Sequence, residues 1–128
     1  MVREIIRPAG GVALNVPLSP AVRANGVVYC SGQLPLAPET GELVSGDIKL
    51  QTRQVLTNLA RVLKAAGSDL NKTLKVTIYM TDLSGFPEMN QVYREFFPTE
   101  PPARTTVGIS GLARAGCLIE IDLIALSA

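Results

Sequence analysis

Apolar residues between positions 48 and 66 recur at helical spacing. Ile48, Val55, Leu56, Leu59, Val62, Leu63 and Ala66 fall on one side of the segment, and Lys49, Gln51, Arg53, Gln54, Asn58, Arg61 and Lys64 on the other. Asp47 is placed to cap the first turn and Gly67 to close the last, so the pattern predicts an amphipathic helix over about 48–66. Further along, LKVTIYMTDL (74–83) changes the period to two: Leu74, Val76, Ile78 and Met80 point one way, and Lys75, Thr77, Tyr79 and Thr81 the other. A second helix is predicted from Ser84 or Gly85, with Phe86, Met89, Tyr93, Phe96 and Phe97 on its apolar face. Pro87 falls in its first turn, where proline is tolerated, and Pro98 ends it.

Three more strands are predicted: GVVYCSG (26–32), RTTVGIS (104–110) and CLIEIDLIAL (117–126). Between the first strand and the first helix, LPLAPETGELVSGD (34–47) carries two prolines and two glycines and reads as a loop or a hairpin with a wide turn. This order implies an α+β domain over residues 1–128, with two helices packed on one face of a sheet. Two helices leave the second face uncovered. In the last strand the even positions are Leu118, Glu120, Asp122, Ile124 and Leu126, so two carboxylates stand among aliphatics. An apolar sheet face of that kind invites self-association, and a closed ring such as a trimer is one solution.

Composition sharpens the picture. Apolar residues are 47% of the chain while aromatics are only 5%, and part of that aliphatic surplus is read as subunit interface. Twelve basic and eleven acidic residues give a net charge of +1 without any run of like charge, which argues against a nucleic-acid or anionic-membrane surface. No segment has the length of a membrane span and MVREIIRPAGG lacks the apolar stretch of a signal peptide, so the expected compartment is the cytosol. The chain has no histidine, which rules out Ser-His-Asp and Cys-His chemistry and a histidine-ligated zinc. Cys30 and Cys117 are far apart in sequence and read as buried, reduced thiols. Chemistry is left to carboxylates, Arg, Lys, Tyr, hydroxyls, backbone groups and water.

Within that inventory Arg104 stands out, as the lone charge of PPARTTVGISGL (101–112). It is either a strand-edge salt bridge or an anion clamp, whose planar fork matches a carboxylate in two parallel hydrogen bonds. Glu120 is either a solvated strand residue or an acid–base group, since Ile119 and Ile121 flank it and a drier setting raises a carboxyl pKa. Asp122 shares its face. CSGQLP (30–35) is a glycine-bearing turn whose backbone N–H groups can meet an anion, or a plain structural turn.

Taken together, YCSGQLPLAPETGEL, QTRQVLTNLARVLKAAGSDL, VTIYMTDLSGF, MNQVYREFF, PPARTTV and IEIDLIAL resemble the RidA/YjgF family, the reactive intermediate deaminases, in the family's order from about residue 19 onward. The resemblance implies a chorismate-mutase-like α+β fold and a homotrimer with three clefts, each lined by two chains. It implies hydrolysis of small enamine or imine carboxylic acids, such as 2-aminoacrylate, to keto acids and ammonia, with neither cofactor nor metal. The alternatives are a larger catabolic enamine such as 2-aminomuconate, binding of small carboxylic acids without chemistry, and RNA cleavage, which the balanced charge disfavours. It assigns Arg104 to the substrate carboxylate and Glu120 to the water, and lines the site with Ser31, Gly32, Asn90 and Thr106. Many members carry a tyrosine in a Gly-Pro-Tyr segment near the N-terminus; the matching stretch is read as SPAV, which puts Ala21 at that position and implies a roomier pocket, weaker activity on the smallest substrate or a different substrate.

Overall fold

The helical and alternating patterns resolve into six strands and two α-helices in the computed structural model, which describes residues 2–13 and 15–127. The strands are β1 (Glu4–Ile6), β2 (Ala21–Ala24), β3 (Val27–Gln33), β4 (Thr73–Met80), β5 (Ala103–Gly108) and β6 (Ile119–Leu126); the helices are α1 (Ile48–Ala65) and α2 (Phe86–Phe96). They form one sheet in the order β1-β2-β3-β6-β4-β5. Only β4 and β5 run parallel, joined by α2 as the crossover that a parallel pair requires. The other neighbours are antiparallel, and α1 carries the chain from β3 to β4 on either side of β6.

Local chemistry sets the helix ends. The Asp47 carboxylate accepts a hydrogen bond from the Leu50 N–H at 2.9 Å, and Gly67 leaves α1 with a φ of 72°, a left-handed conformation that favours glycine. Before α2, Asp82 accepts from the Ser84 N–H at 2.9 Å and closes a short 3₁₀ turn, after which Pro87 sits in the first helical turn. Leu56, Leu59 and Leu63 of α1 and Met89 of α2 pack against Val28, Val76, Ile78, Ile121 and Leu123 of the sheet. Both helices therefore cover one face. The other displays Ile5, Tyr29, Val107 and Leu126, all exposed. No helix among the described residues is long and apolar enough to cross a membrane.

Three details depart from the periodic reading. β1 and β2 have three and four residues, too short to show a period, and they extend the sheet beyond the predicted strands. A register shift between Thr73 and Lys75 turns Thr73 inward and leaves Leu74 exposed, so Leu74 does not share the buried face of Val76. The last strand begins at Ile119, and Cys117 and Leu118 belong to the loop before it.

Gln51 and Asn58, on the polar side of the α1 pattern, are both buried. The Gln51 amide donates to the carbonyls of Val44 (3.3 Å) and Gly116 (3.0 Å), and its oxygen accepts from the Leu118 N–H (2.7 Å). Asn58 donates to the carbonyls of Leu34 and Leu36. The loop after β3 and the loop before β6 are thus tied to one helix, and the two strands they flank carry Ser31, Gly32 and Glu120. Replacing Gln51 by Ala removes three hydrogen bonds to partly buried backbone groups and is expected to lower stability by about 1–3 kcal/mol, read as a lower urea midpoint with an unchanged slope.

Candidate functional site

The pleat of β5 decides where Arg104 points. Its register partner in β4 is Val76, a core residue paired in turn with Leu123, so Arg104 lies on the helix-covered side. β5 is the edge strand, which leaves room for a long side chain beneath α2. The guanidinium carbon stands 4.7 Å from the centre of the Tyr93 ring and 5.5 Å from that of Phe86, within cation–π range of both. Neither ion pair among the described residues, Arg23–Glu4 or Arg53–Glu95, involves Arg104, so the strand-edge salt bridge finds no support there. Together with Asn90, Arg94 and Pro102, Arg104 lines an open cleft of about 360 Å³. Thr106 lies two residues along the same side of β5. Its hydroxyl and that of Tyr93 are buried without a hydrogen-bond partner among the described residues. Burial pushes the Tyr93 phenol up, an effect that the Arg104 charge partly opposes.

Ser31, Gly32 and Glu120 gather elsewhere. Cys30 pairs with Leu123 and Gln33 with Ile121, so a bulge sets two residues of β3, Ser31 and Gly32, against Asp122 alone. The Ser31 hydroxyl donates to the Ser19 carbonyl at 2.6 Å, and its N–H donates to the Pro20 carbonyl at 3.0 Å. Glu120, paired with Tyr79, lies against Gly32 so closely that a Cβ there would strike its carboxylate. Burial raises the Glu120 pKa above the ordinary carboxylate value, and the Asp122 charge raises it further. Asp122 itself accepts a hydrogen bond from the Tyr79 hydroxyl at 2.9 Å, which is the main reason the Tyr79 pKa is raised. Cys30, beneath this face, is pushed up to about 12 by burial and by Asp122, and both cysteines are buried free thiols.

The six site residues expected from sequence thus form two groups. Arg104, Thr106 and Asn90 are on the helix side, and Ser31, Gly32 and Glu120 are on the open side of the same sheet. One chain does not bring Arg104 to Glu120. Ala21 falls in neither group: it pairs with Cys30, is 1% exposed and faces the core, so it cannot widen a pocket. The wall beside Ser31 is instead built by Val16, Pro17, Leu18, Ser19 and Val22, with Arg3 and Arg7, around an open cleft of about 660 Å³. Pro17 and the residue after it, Leu18, are the ones that border this cleft. The signal for them in the sequence is the proline upstream of Pro20.

Comparison with known proteins places this geometry. The family model described as endoribonuclease L-PSP matches residues 11–127. A RutC family protein of Pyrococcus horikoshii is 49% identical over 109 residues, covering 85% of this chain and 86% of the relative. The chloroplastic Reactive Intermediate Deaminase A of Arabidopsis thaliana is 40% identical over 123 residues, 96% of this chain and 65% of the relative. Among solved structures, E. coli TdcF with bound serine superposes with a TM-score of 0.87 at 32% identity, covering 98% of this chain and 99% of that one.

A raised carboxyl pKa in the folded state has a consequence for stability. Between the ordinary glutamate value and the raised one, the folded chain keeps a proton that the unfolded chain has released, so stability falls as pH rises through that window. Glu120→Gln is therefore expected to stabilise the protein at neutral pH and to change little below the ordinary carboxylate range. Urea unfolding at the two pH values checks this, and an equal effect at both contradicts it.

Proposed function

The chain belongs to the endoribonuclease L-PSP family, which includes the RutC and Rid proteins, and on that premise we propose that it is a hydrolytic deaminase of enamine and imine carboxylic acids, yielding 2-keto acids and ammonia. The observation that carries this reading is Arg104. It is a guanidinium seated on two aromatic faces, turned to an open cleft, with no carboxylate of its own among the described residues. Such a group suits the carboxylate of a small acid, held in two parallel charge-assisted bonds. The relative named a deaminase and the relative solved with serine, a small amino acid, agree with it.

In this mechanism the Arg104 fork fixes the acid and so places its C=N carbon. Glu120 holds a water and takes its proton as the oxygen attacks that carbon, giving a carbinolamine. The nitrogen enters as the iminium, which an enamine gives on protonation of its β-carbon. The proton taken by Glu120 then goes to nitrogen, and Glu120 takes the proton of the carbinol hydroxyl. C=O forms as the C–N bond breaks and its electron pair leaves with ammonia, and Glu120 returns the last proton to that ammonia. A carboxyl pKa raised above the ordinary carboxylate value suits these transfers. Asp122, which accepts from Tyr79, raises the Glu120 pKa further and so favours uptake of a proton there. Ser31 and Gly32 line this half, and Gly32 gives Glu120 its room.

Because Arg104 and Glu120 are on opposite sides of one sheet, the reading requires two copies, one supplying Arg104, Thr106 and Asn90 and the other Ser31, Gly32 and Glu120. A ring of three copies, packed through the open face, gives three such clefts. A second reading, that the protein binds small carboxylic acids without turning them over, is favoured by the serine in TdcF alone. An endoribonuclease role has the family description behind it, but the balanced charge provides no field for a polyanion. Relatives named mitochondrial and chloroplastic show that the family is not tied to one compartment, and the cytosol is proposed here only from the sequence.

The first test is the disappearance of 2-aminoacrylate generated in situ by a serine dehydratase. Wild type is expected to accelerate it, and Arg104→Ala to lose at least two orders of magnitude in kcat/KM while keeping its fold. A binder without chemistry takes up 2-ketobutyrate yet leaves the rate unchanged. Co-refolding Arg104→Ala with Glu120→Gln checks the two-copy site. Each variant alone is inactive, and an equal mixture is expected to recover about one quarter of wild-type activity, since one cleft in four then holds both native residues. No recovery would mean that both residues act within one chain.

A further inference from the structure

The cleft beside Ser31 has a charged wall that the proposed reaction does not use. Arg3 and Arg7 both line it, with Ser19, Ser31 and the apolar Pro17 and Leu18. Among the described residues, no acidic side chain lines it. Glu4, the one acidic residue among the first 38, stands on the helix side of β1 and is paired with Arg23 at 2.8 Å through a carboxylate that Arg23 grips with two nitrogens. Arg3 and Arg7 thus share a concave surface with no countercharge from their own segment.

Sheet register places that surface relative to the chemistry. Ile6 pairs with Ala21 and, through it, with Cys30, so Arg7 follows at the level of Ser31 and on its side of the sheet. β1 lies two strand spacings from β3 and three from β6, roughly 10 and 14 Å. An arginine side chain reaching in from β1 therefore meets the far end of a ligand that lies along Ser31 towards Glu120.

We propose that Arg3 and Arg7 form a second anion subsite, and that the preferred substrate is an enamine or imine acid carrying a further anionic group, a carboxylate or a phosphate, several bonds from the C=N carbon. This rests on the reading of Ser31 and Glu120 as one half of the deaminase site. Leu18 and Pro17 supply the apolar floor over which the carbon chain between the two anions lies. The two ends divide the work: Arg104 takes the carboxylate next to C=N, and Arg3 with Arg7 select for the group at the other end.

Calorimetric titration with stable 2-oxo acids tests this without relying on turnover. The probes are 2-oxobutanoate as the single anion, 2-oxoglutarate and 2-oxoadipate for a second carboxylate, and 3-phosphohydroxypyruvate for a phosphate. Wild type is expected to bind at least one of the three dianions tenfold or more tighter than 2-oxobutanoate, as a charge-assisted contact to arginine gives. In Arg3→Gln/Arg7→Gln that ratio is expected to fall towards one; in Arg53→Gln, which lies outside both clefts and is paired with Glu95, it is expected to persist. The dianion preferred identifies the terminal group. A wild-type ratio near one, an absence of binding, a ratio that survives in the double variant, or one lost in Arg53→Gln instead overturns the subsite. A dianion preference without any imine hydrolysis would leave the subsite standing and remove the deaminase reading; imine hydrolysis without that preference would do the reverse.

Discussion

Alternation along a strand is the constraint on which the rest of this molecule depends. In β5 and β6 every second residue must face the helices. Arg104 is in phase with Val76 and Leu123, and Glu120 is in phase with Tyr79. A shift of one residue in either strand would exchange a core aliphatic for a charge, so burial of Ile119, Ile121 and Leu123 fixes the phase of Glu120 as firmly as any hydrogen bond. The two charged groups are therefore held apart by the same packing that holds the fold together.

Each group is also prepared at some cost. The Arg104 guanidinium rests on Tyr93 and Phe86 instead of a carboxylate, which preserves its capacity for an external anion. A neighbouring Asp or Glu would hold it more tightly and compete with any acid that approached. Glu120 is drawn partly out of water and set beside another carboxylate, both of which disfavour its charge. Gly32 supplies the space, and the bulge in β3 brings that glycine to the correct side. On the proposed reading, a carboxyl raised above its ordinary range takes the acid–base part in a chain that has no histidine.

Much of this was legible in the chain. The spacing of Val55, Leu56, Leu59 and Leu63 fixes α1 to within a residue, because a long amphipathic segment repeats its signal over several turns. The uncovered face with Glu120, Asp122 and Tyr79 follows from counting two helices against one sheet. What was hidden depends on contacts rather than periods. Gln51 and Asn58 read as solvent-facing, yet they are buried because loop carbonyls come to them. Leu74 follows the period of β4, and a bulge that no local pattern marks breaks that period. Ala21 follows the proline nearer to β3, and only the pairing of β2 with β3 shows that it points to the core while Leu18 borders the cleft. That Arg104 and Glu120 occupy opposite faces was implicit in the two strands, but it needs the order β6-β4-β5 to relate their phases.

On the proposed reading, assembly and catalysis are one event. The open face exposes Ile5, Tyr29, Val107 and Leu126, surface that gains by leaving water, and the same face carries Ser31, Gly32 and Glu120. The edge strand β5 carries Arg104 at its other side. A neighbour that docks its edge against the open face therefore covers the aliphatics and delivers a guanidinium towards a carboxylate in the same step. Apolar burial provides the driving force, which leaves the charged groups free of any structural duty at the interface. Arg104 and Glu120 can then differ between relatives in what they hold without the assembly depending on it. Specificity falls to side chains such as Leu18, Arg3 and Arg7, which border the cleft but lie outside the core.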